Sequence, residues 1–334
     1  MLRWILLCAL ALPLVAQEPA APVWVGDFDK AVEMAKAAKK DLLVDFTGSD
    51  WCGWCVKLEK EVFSHEAFLK AAQAKYILVA LDFPQAEEIK AKVPNPKRNE
   101  ELQKKYEVRG FPSILLMDAQ GDVYAQTGYQ PGGPEAYVKH LDEISTKGRA
   151  AITAVAAVLA EATKAEPGQK AAALSKVIDA LLALDADSPA AAKLIPVVKE
   201  ALTVDADNKR GLKLKALKAL LKFGQSDAAL CAAAKELDPK NEHGLLEQCV
   251  VVQSNQVDSE EAVKAAFQAI EALDALGPVK DKEAALQLYT NAAFWNQRFL
   301  KDDAAAKKFA AKALPFAKDN EGLSKALQEI IDGK

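Results

Sequence analysis

The chain has 334 residues, too many for one ordinary compact core and enough for two domains. Hydrophobic residues make up 51% of it, so most of the chain can bury a core. A formal net charge of -4 leaves no broad basic field for nucleic acid, and only three histidines are present for metal or acid–base sites.

The first residues read as an export signal. Arg3 supplies a positive charge, Trp4 to Val15 form a short apolar run, and small Ala16 precedes polar Gln17-Glu18. The run is shorter than the ~20 residues that span a bilayer. Residues 1–16 are therefore expected to be a cleaved signal peptide, leaving no stable membrane insertion. Cleavage removes Cys8 and keeps Cys52, Cys55, Cys231 and Cys249, an even set for an oxidising compartment.

Composition shifts near residue 147, which divides the chain into an α/β region over 17–147 and a helical region over 150–334. In the first, Asp27 is placed to cap a helix from Phe28 to about Lys40, with Phe28, Ala31, Val32, Ala35 and Ala38 at helical spacing. Leu42 to Phe46 suits a buried strand, with a further strand at Val23 to Val25. Cys52 to Val62 reads as one helix, and Ser64 as the cap of a second through Ala74. Tyr76 to Phe83 is another buried strand, and the proline-broken Pro84 to Pro96 reads as a loop. A short helix is expected over Glu100 to Tyr106. Ser113 to Met117 and Val123 to Gln126 form a hairpin around residues 118–122, and Pro134 opens a last helix to about Ile144.

The second region is rich in alanine, leucine and lysine and reads as helix after helix. Residues 184–188, 204–208 and 237–241 are alike: an aspartate follows an apolar residue, and a Ser or Asn able to cap the next helix comes three positions later. The 33-residue step from Asp205 to Asp238 lies close to the period of tetratricopeptide helical hairpins, whereas the step from Asp185 to Asp205 does not. Degenerate repeats of that kind and an irregular bundle are both open.

Cys52 and Cys55 are separated by two residues, as in zinc half-sites and in redox pairs. A structural zinc needs four ligands, and Cys231, Cys249 and the scattered histidines at 65, 140 and 243 do not complete a set. No metal is expected. In the redox reading, a loop from Thr47 to Trp51 delivers Cys52 to the start of a helix, where amide groups and the helix dipole stabilise a thiolate. Cys52 is then the nucleophile. Cys55, one turn on, resolves the mixed disulfide. Trp51 and Trp54 offer apolar surface for a protein substrate, and Gly53 lies between the sulfurs.

The segment from Asp45 to Cys55, ending in Trp51-Cys52-Gly53-Trp54-Cys55, resembles the active site of thioredoxin-like proteins, nearest to the exported bacterial branch with a Cys-Gly-Trp-Cys centre. The resemblance covers roughly Trp24 to Ile144. Gly110-Phe111-Pro112 looks like the family's second motif, which implies a cis-Pro112 against the redox pair and substrate contact at Phe111. It also implies an acid near Asp45 that accepts the proton of the resolving cysteine, although the loop before the motif is one residue longer than in thioredoxin. Trp54 stands where thioredoxin has proline. The fold implied is a thioredoxin-like α/β domain, followed by the all-α, tetratricopeptide-like region. The function implied is an exported, periplasmic thiol–disulfide oxidoreductase acting on exported protein clients and served by a thiol redox partner. Reduction, oxidation and isomerisation stay open, as does a helical binding scaffold with a redox sensor. There is no nucleotide fingerprint, so no cofactor is expected beyond the Cys52–Cys55 disulfide. Cys231 and Cys249 are each nine residues from Lys240, so an antiparallel helix pair would bring them level, as a structural disulfide or as two buried thiols.

Overall fold

A computed structural model describes residues 23–333, so the expected signal peptide and Cys8 lie outside the described residues. The described residues divide into two compact units: 23–122 with Thr127–Asp142, and Val123–Gln126 with 143–333.

The first unit is built on β1 (Trp24–Val25), α1 (Phe28–Ala38), β2 (Asp41–Thr47), α2 (Gly53–Leu58), α3 (Glu66–Lys75) and β3 (Tyr76–Asp82). These are followed by α4 (Glu87–Lys90), α5 (Pro96–Lys105) and β4 (Ser113–Met117), and then by β5 (Val123–Thr127), of which Val123–Gln126 count with the second unit. The five strands form one sheet in the order β1-β3-β2-β4-β5. β2 runs parallel to β3, with Asp45 level with Ala80, and antiparallel to β4. Leu42, Leu43, Val44 and Phe46 have no exposed surface. A strand covered on both faces reads as a continuous apolar run, which is why Asp45 within it stands out. Asp27 caps α1 by accepting from the Lys30 amide at 3.0 Å, and α1 buries Phe28, Ala31 and Ala35.

Four sequence expectations change. The helix after Cys52 ends at Leu58 and widens into a π turn over Glu59–Phe63. Ser64 does not cap α3: its amide closes that turn on the Glu59 carbonyl, and the His65 ring at the N-cap bonds back to the Lys60 carbonyl rather than to an amide of α3. The stretch from Pro84 to Pro96 is not all loop. It holds α4, and Pro96 opens α5, since proline suits the first helical position, where no amide partner is needed. Finally, α6 (Gly133–Thr163) does not stop near Ile144. Gly148 lies inside it: a Cβ there would lie 2.0 Å from the Tyr124 carbonyl oxygen, so glycine permits close approach rather than a break.

The second unit continues through α7 (Lys170–Leu182), α8 (Ala191–Val204), α9 (Leu212–Lys222), α10 (Ala228–Leu237) and α11 (Leu245–Ser254). It ends with α12 (Glu260–Ala275), α13 (Lys282–Trp295), α14 (Asp303–Ala313) and α15 (Glu321–Asp332). Two apolar clusters hold it. One includes Leu174, Leu194, Leu217 and Leu245, and the other Ile270, Leu288, Phe309 and Leu327. Two turns repeat at a step of 33 residues. Asp205 accepts from the Arg210 and Leu212 amides, and Asp238 from the His243 and Leu245 amides. Asn208 and Asn241 follow each aspartate, and their side-chain oxygens accept from amides inside the next helix. Cys231 of α10 and Cys249 of α11 form a disulfide with Cα atoms 5.9 Å apart. No helix among the described residues is long and apolar enough to cross a membrane.

Candidate active site

The loop leaving β2 is fastened from the far side. Ser49 donates from its amide (3.0 Å) and hydroxyl (2.6 Å) to the Asp82 carboxylate at the end of β3. Asp50 accepts from the Gln85 and Ala86 amides, and those bonds, Ala86 foremost, hold its carboxyl below the usual range. The Trp51 indole donates to the Phe83 carbonyl at 2.8 Å. A Cβ on Gly48 would lie 2.5 Å from that indole, so the ring folds back over the loop only because residue 48 is glycine.

This loop sets Cys52 at the N-cap of α2 in extended geometry, its amide donating to the Gly48 carbonyl at 2.9 Å. Cys52 and Cys55 form a disulfide with Cα atoms 5.2 Å apart. The Cys55 amide donates to Cys52 Sγ at 3.2 Å, a bond that favours a charged sulfur there once the disulfide opens. Both cysteines are largely covered, Cys52 at 7% exposed and Cys55 at 4%. Trp51 (45%) and Trp54 (58%) stand out beside them. Phe111 packs edge-on against Trp51 at 5.7 Å and meets Phe83 at 5.2 Å, and the Phe111–Pro112 bond is cis. Trp54 lies 5.2 Å from the Tyr129 ring, with the Lys57 ammonium about 5 Å from both rings. The Tyr129 hydroxyl donates to Glu61 at 2.6 Å.

Behind Cys55 lies a cavity of about 380 Å³, lined by Asp45, Thr47, Ser49, Cys55, Glu59 and Asp82 among others. Asp45 is buried and its Oδ1 has no hydrogen-bond partner. Burial, then the charges of Glu59 and Asp82, push its carboxyl well above the usual carboxylate range. A group so placed holds its proton more tightly and is a stronger base once ionised. Partial desolvation raises Glu59 as well.

The site thus gathers Cys52, Cys55, Gly53, Trp51, Trp54, Phe111 and Pro112 on one rim, and places Asp45 on the cavity behind. Cys231 and Cys249 belong to the helical unit. Sequence reasoning missed Glu59, Asp82, Phe83 and Tyr129. Glu59 carried a signal: it lies four residues after Cys55, on the same side of a helix. Among the described residues no cluster of His, Cys, Asp or Glu could hold a metal ion.

Comparison with known proteins agrees with this geometry. The thioredoxin-like domain family matches residues 28–145. The disulfide bond reductase DsbH of Chlamydia pneumoniae is 38% identical over 116 residues, covering 34% of this chain and 68% of that protein. The thioredoxin-related protein DsbJ of the same organism is 31% identical over 133 residues, covering 36% of each chain. A solved DsbH oxidoreductase shares 33% identity and covers 40% of this chain and 93% of that one, with a TM-score of 0.33. The family match ends at residue 145, so helices α7 to α15 lie beyond it. A redox disulfide at the start of a helix, on a sheet of this order and with a relative so largely covered, means that the chain belongs to the thioredoxin-like family of thiol–disulfide oxidoreductases.

Proposed function

We propose that this chain is an exported reductase of protein disulfides, with Cys52 as nucleophile and Cys55 as resolving thiol. The observation that carries the reading is the Cys52–Cys55 disulfide, with Cys52 Sγ accepting the Cys55 amide at a rim of exposed Trp51 and Trp54. In the dithiol form, the Cys52 thiolate attacks one sulfur of a client cystine. The other client sulfur leaves as a thiolate and takes a proton from water. Cys55 then gives its proton to the Asp45 carboxylate and attacks Cys52 Sγ. The Cys52–Cys55 bond forms, the second client sulfur leaves, and two electrons have passed from enzyme to client. A dithiol partner returns them.

Pro112 and Phe111, beside Trp51, suit the backbone of an extended client segment, and Gly53 leaves open space beside the redox pair. Reduction rather than oxidation is favoured by the likeness to a disulfide bond reductase. Export to the bacterial periplasm is supported by the charged, apolar and small-residue order of positions 1–16. The turns spaced by 33 residues support tetratricopeptide-like hairpins in the helical domain at 150–334, which binds clients or the redox partner. The test is insulin reduction with dithiothreitol as donor. The expected result is turnover by the native chain and none above background for Cys52→Ser. Equal rates for the two would leave the helical domain as the working part and the redox pair as a sensor.

A further inference from the structure

Three acidic residues from three elements line one cavity with Cys55. Asp45 comes from the middle of β2, Glu59 from the π turn after α2 and Asp82 from the end of β3, and all three line the cavity that Cys55 lines. Lys60 is the one cation on that wall, and the buried Tyr137 phenol on α6 also feels the Asp45 charge. Asp45 is 7% exposed, so its proton has no direct way to bulk water. Asp82 is committed to Ser49 by two hydrogen bonds. Glu59 differs from both. It is exposed as a residue, yet its carboxyl is desolvated enough to lift its proton affinity, and no hydrogen bond or ion pair holds it among the described residues. It stands between cavity and solvent. A space of about 380 Å³ admits several waters, each needing ~30 Å³.

We propose that Glu59 is a relay residue for Cys55, passing protons between solvent and the Asp45 carboxyl through the cavity they share. The inference rests on the thiol–disulfide reading above and adds to it a proton route. When Cys55 resolves a mixed disulfide, its thiol proton moves to the Asp45 carboxylate while its sulfur bonds to Cys52 Sγ and the client thiolate departs. Asp45 passes that proton on as the sulfur bond forms, so the onward transfer sets how fast Cys55 completes the resolving step. Glu59, in its ionised form, accepts it across cavity water and releases it outside. The reverse transfers reload Cys55 when the donor reduces the disulfide.

The test uses the native chain with Cys52 carrying 5-thio-2-nitrobenzoate as a mixed disulfide, made by mixing the dithiol form with the symmetrical aryl disulfide. Stopped-flow absorbance from pH 5 to 9 follows first the attack by Cys52, then release of the second aryl thiolate by Cys55. In Glu59→Gln the ratio of release rate to attack rate is expected to fall roughly tenfold near neutrality, a modest share of what positioned proton transfer contributes. Glu59→Asp keeps the carboxyl within reach through cavity water and restores most of the loss. In parallel, the ¹³C carboxyl titration of Asp45 in the disulfide form reports coupling without any turnover. Removing a like charge lowers its midpoint in Glu59→Gln. An unchanged ratio in Glu59→Gln overturns the relay, as does a loss that Glu59→Asp does not reduce, or an Asp45 midpoint that ignores Glu59. Failure of the native chain itself to form or resolve the adduct overturns the oxidoreductase reading instead, and the Asp45 titration tells the two failures apart.

Discussion

The buried acids of the two units do opposite work. In the helical unit each one is met by backbone amides. Asp238 accepts from His243 (3.0 Å) and Leu245 (3.1 Å), and Asp205 accepts from Leu212 at 2.8 Å. Glu247 accepts from the Lys280 (3.0 Å) and Asp281 (2.8 Å) amides. Such carboxylates are desolvated and fully compensated, and they fix where one helix begins relative to the last. In the sheet unit Asp45 is equally buried, yet one of its oxygens has no partner and the charges that push on it are those of two more acids. Burial alone does not distinguish structure from chemistry. The number of donors aimed at the carboxyl does.

That contrast is open to test, beginning with the cross-link in the helical unit. Replacing Cys231 and Cys249 together by serine removes the cross-link between α10 and α11. For a loop of 18 residues this is expected to cost about 3 kcal/mol, read as a lower urea midpoint of the helical transition. Insulin reduction by the folded double variant should stay at the native level. Loss of turnover would show that the two disulfides are coupled. Asp238→Ala comes next. It strips two amides of their acceptor, one of them buried, and is expected to cost about 2 kcal/mol, again without change in redox activity.

The sequence made these roles legible to different degrees. Asp27 as a helix cap and the apolar run of β2 were readable because each is local: one side chain with one amide, or one strand covered on both faces. The Cys52–Cys55 pair was readable because two cysteines at that spacing have few uses. The π turn after Leu58 was not, since Glu59 to Phe63 keep a helical pattern of apolar residues whichever way the hydrogen bonds close. Nor was the continuation of α6 past Gly148, because glycine weakens a helix in isolation and only the approach of Tyr124 makes it necessary. Glu59 escaped notice for a related reason. Its importance lies in a cavity shared with β2 and β3, which no single stretch of chain reveals.

Asp45→Asn sharpens the contrast by its sign. The folded state holds the Asp45 proton more tightly than the unfolded chain does, so between the ordinary carboxylate range and its raised value the native state binds more protons. Stability therefore falls as pH rises through that window. The native chain is expected to lose thermal stability in the sheet unit from pH 4 towards neutrality, and Asp45→Asn to lose less. At pH 7 the variant should be no less stable than the native chain, while Cys55 resolves mixed disulfides more slowly. A variant that melted like Asp238→Ala would place Asp45 among the architectural acids and dissolve the distinction.

The smallest effect is expected at the exposed rim. Tyr129→Phe removes one hydroxyl that donates to Glu61, but leaves the ring against Trp54 and beneath the Lys57 ammonium. Both the hydroxyl and its partner reach solvent, so water replaces most of what is lost and the cost should stay below about 1 kcal/mol. The freed Glu61 can still pair with Lys57, drawing the ammonium away from the two rings. Trp54 then loses part of its cation–π contact, and the KM for insulin is expected to rise by about twofold at constant kcat. A fall in kcat instead would mean that the Trp54 cluster acts on the redox pair itself, and the rim would have to be counted with the chemistry and not with client contact.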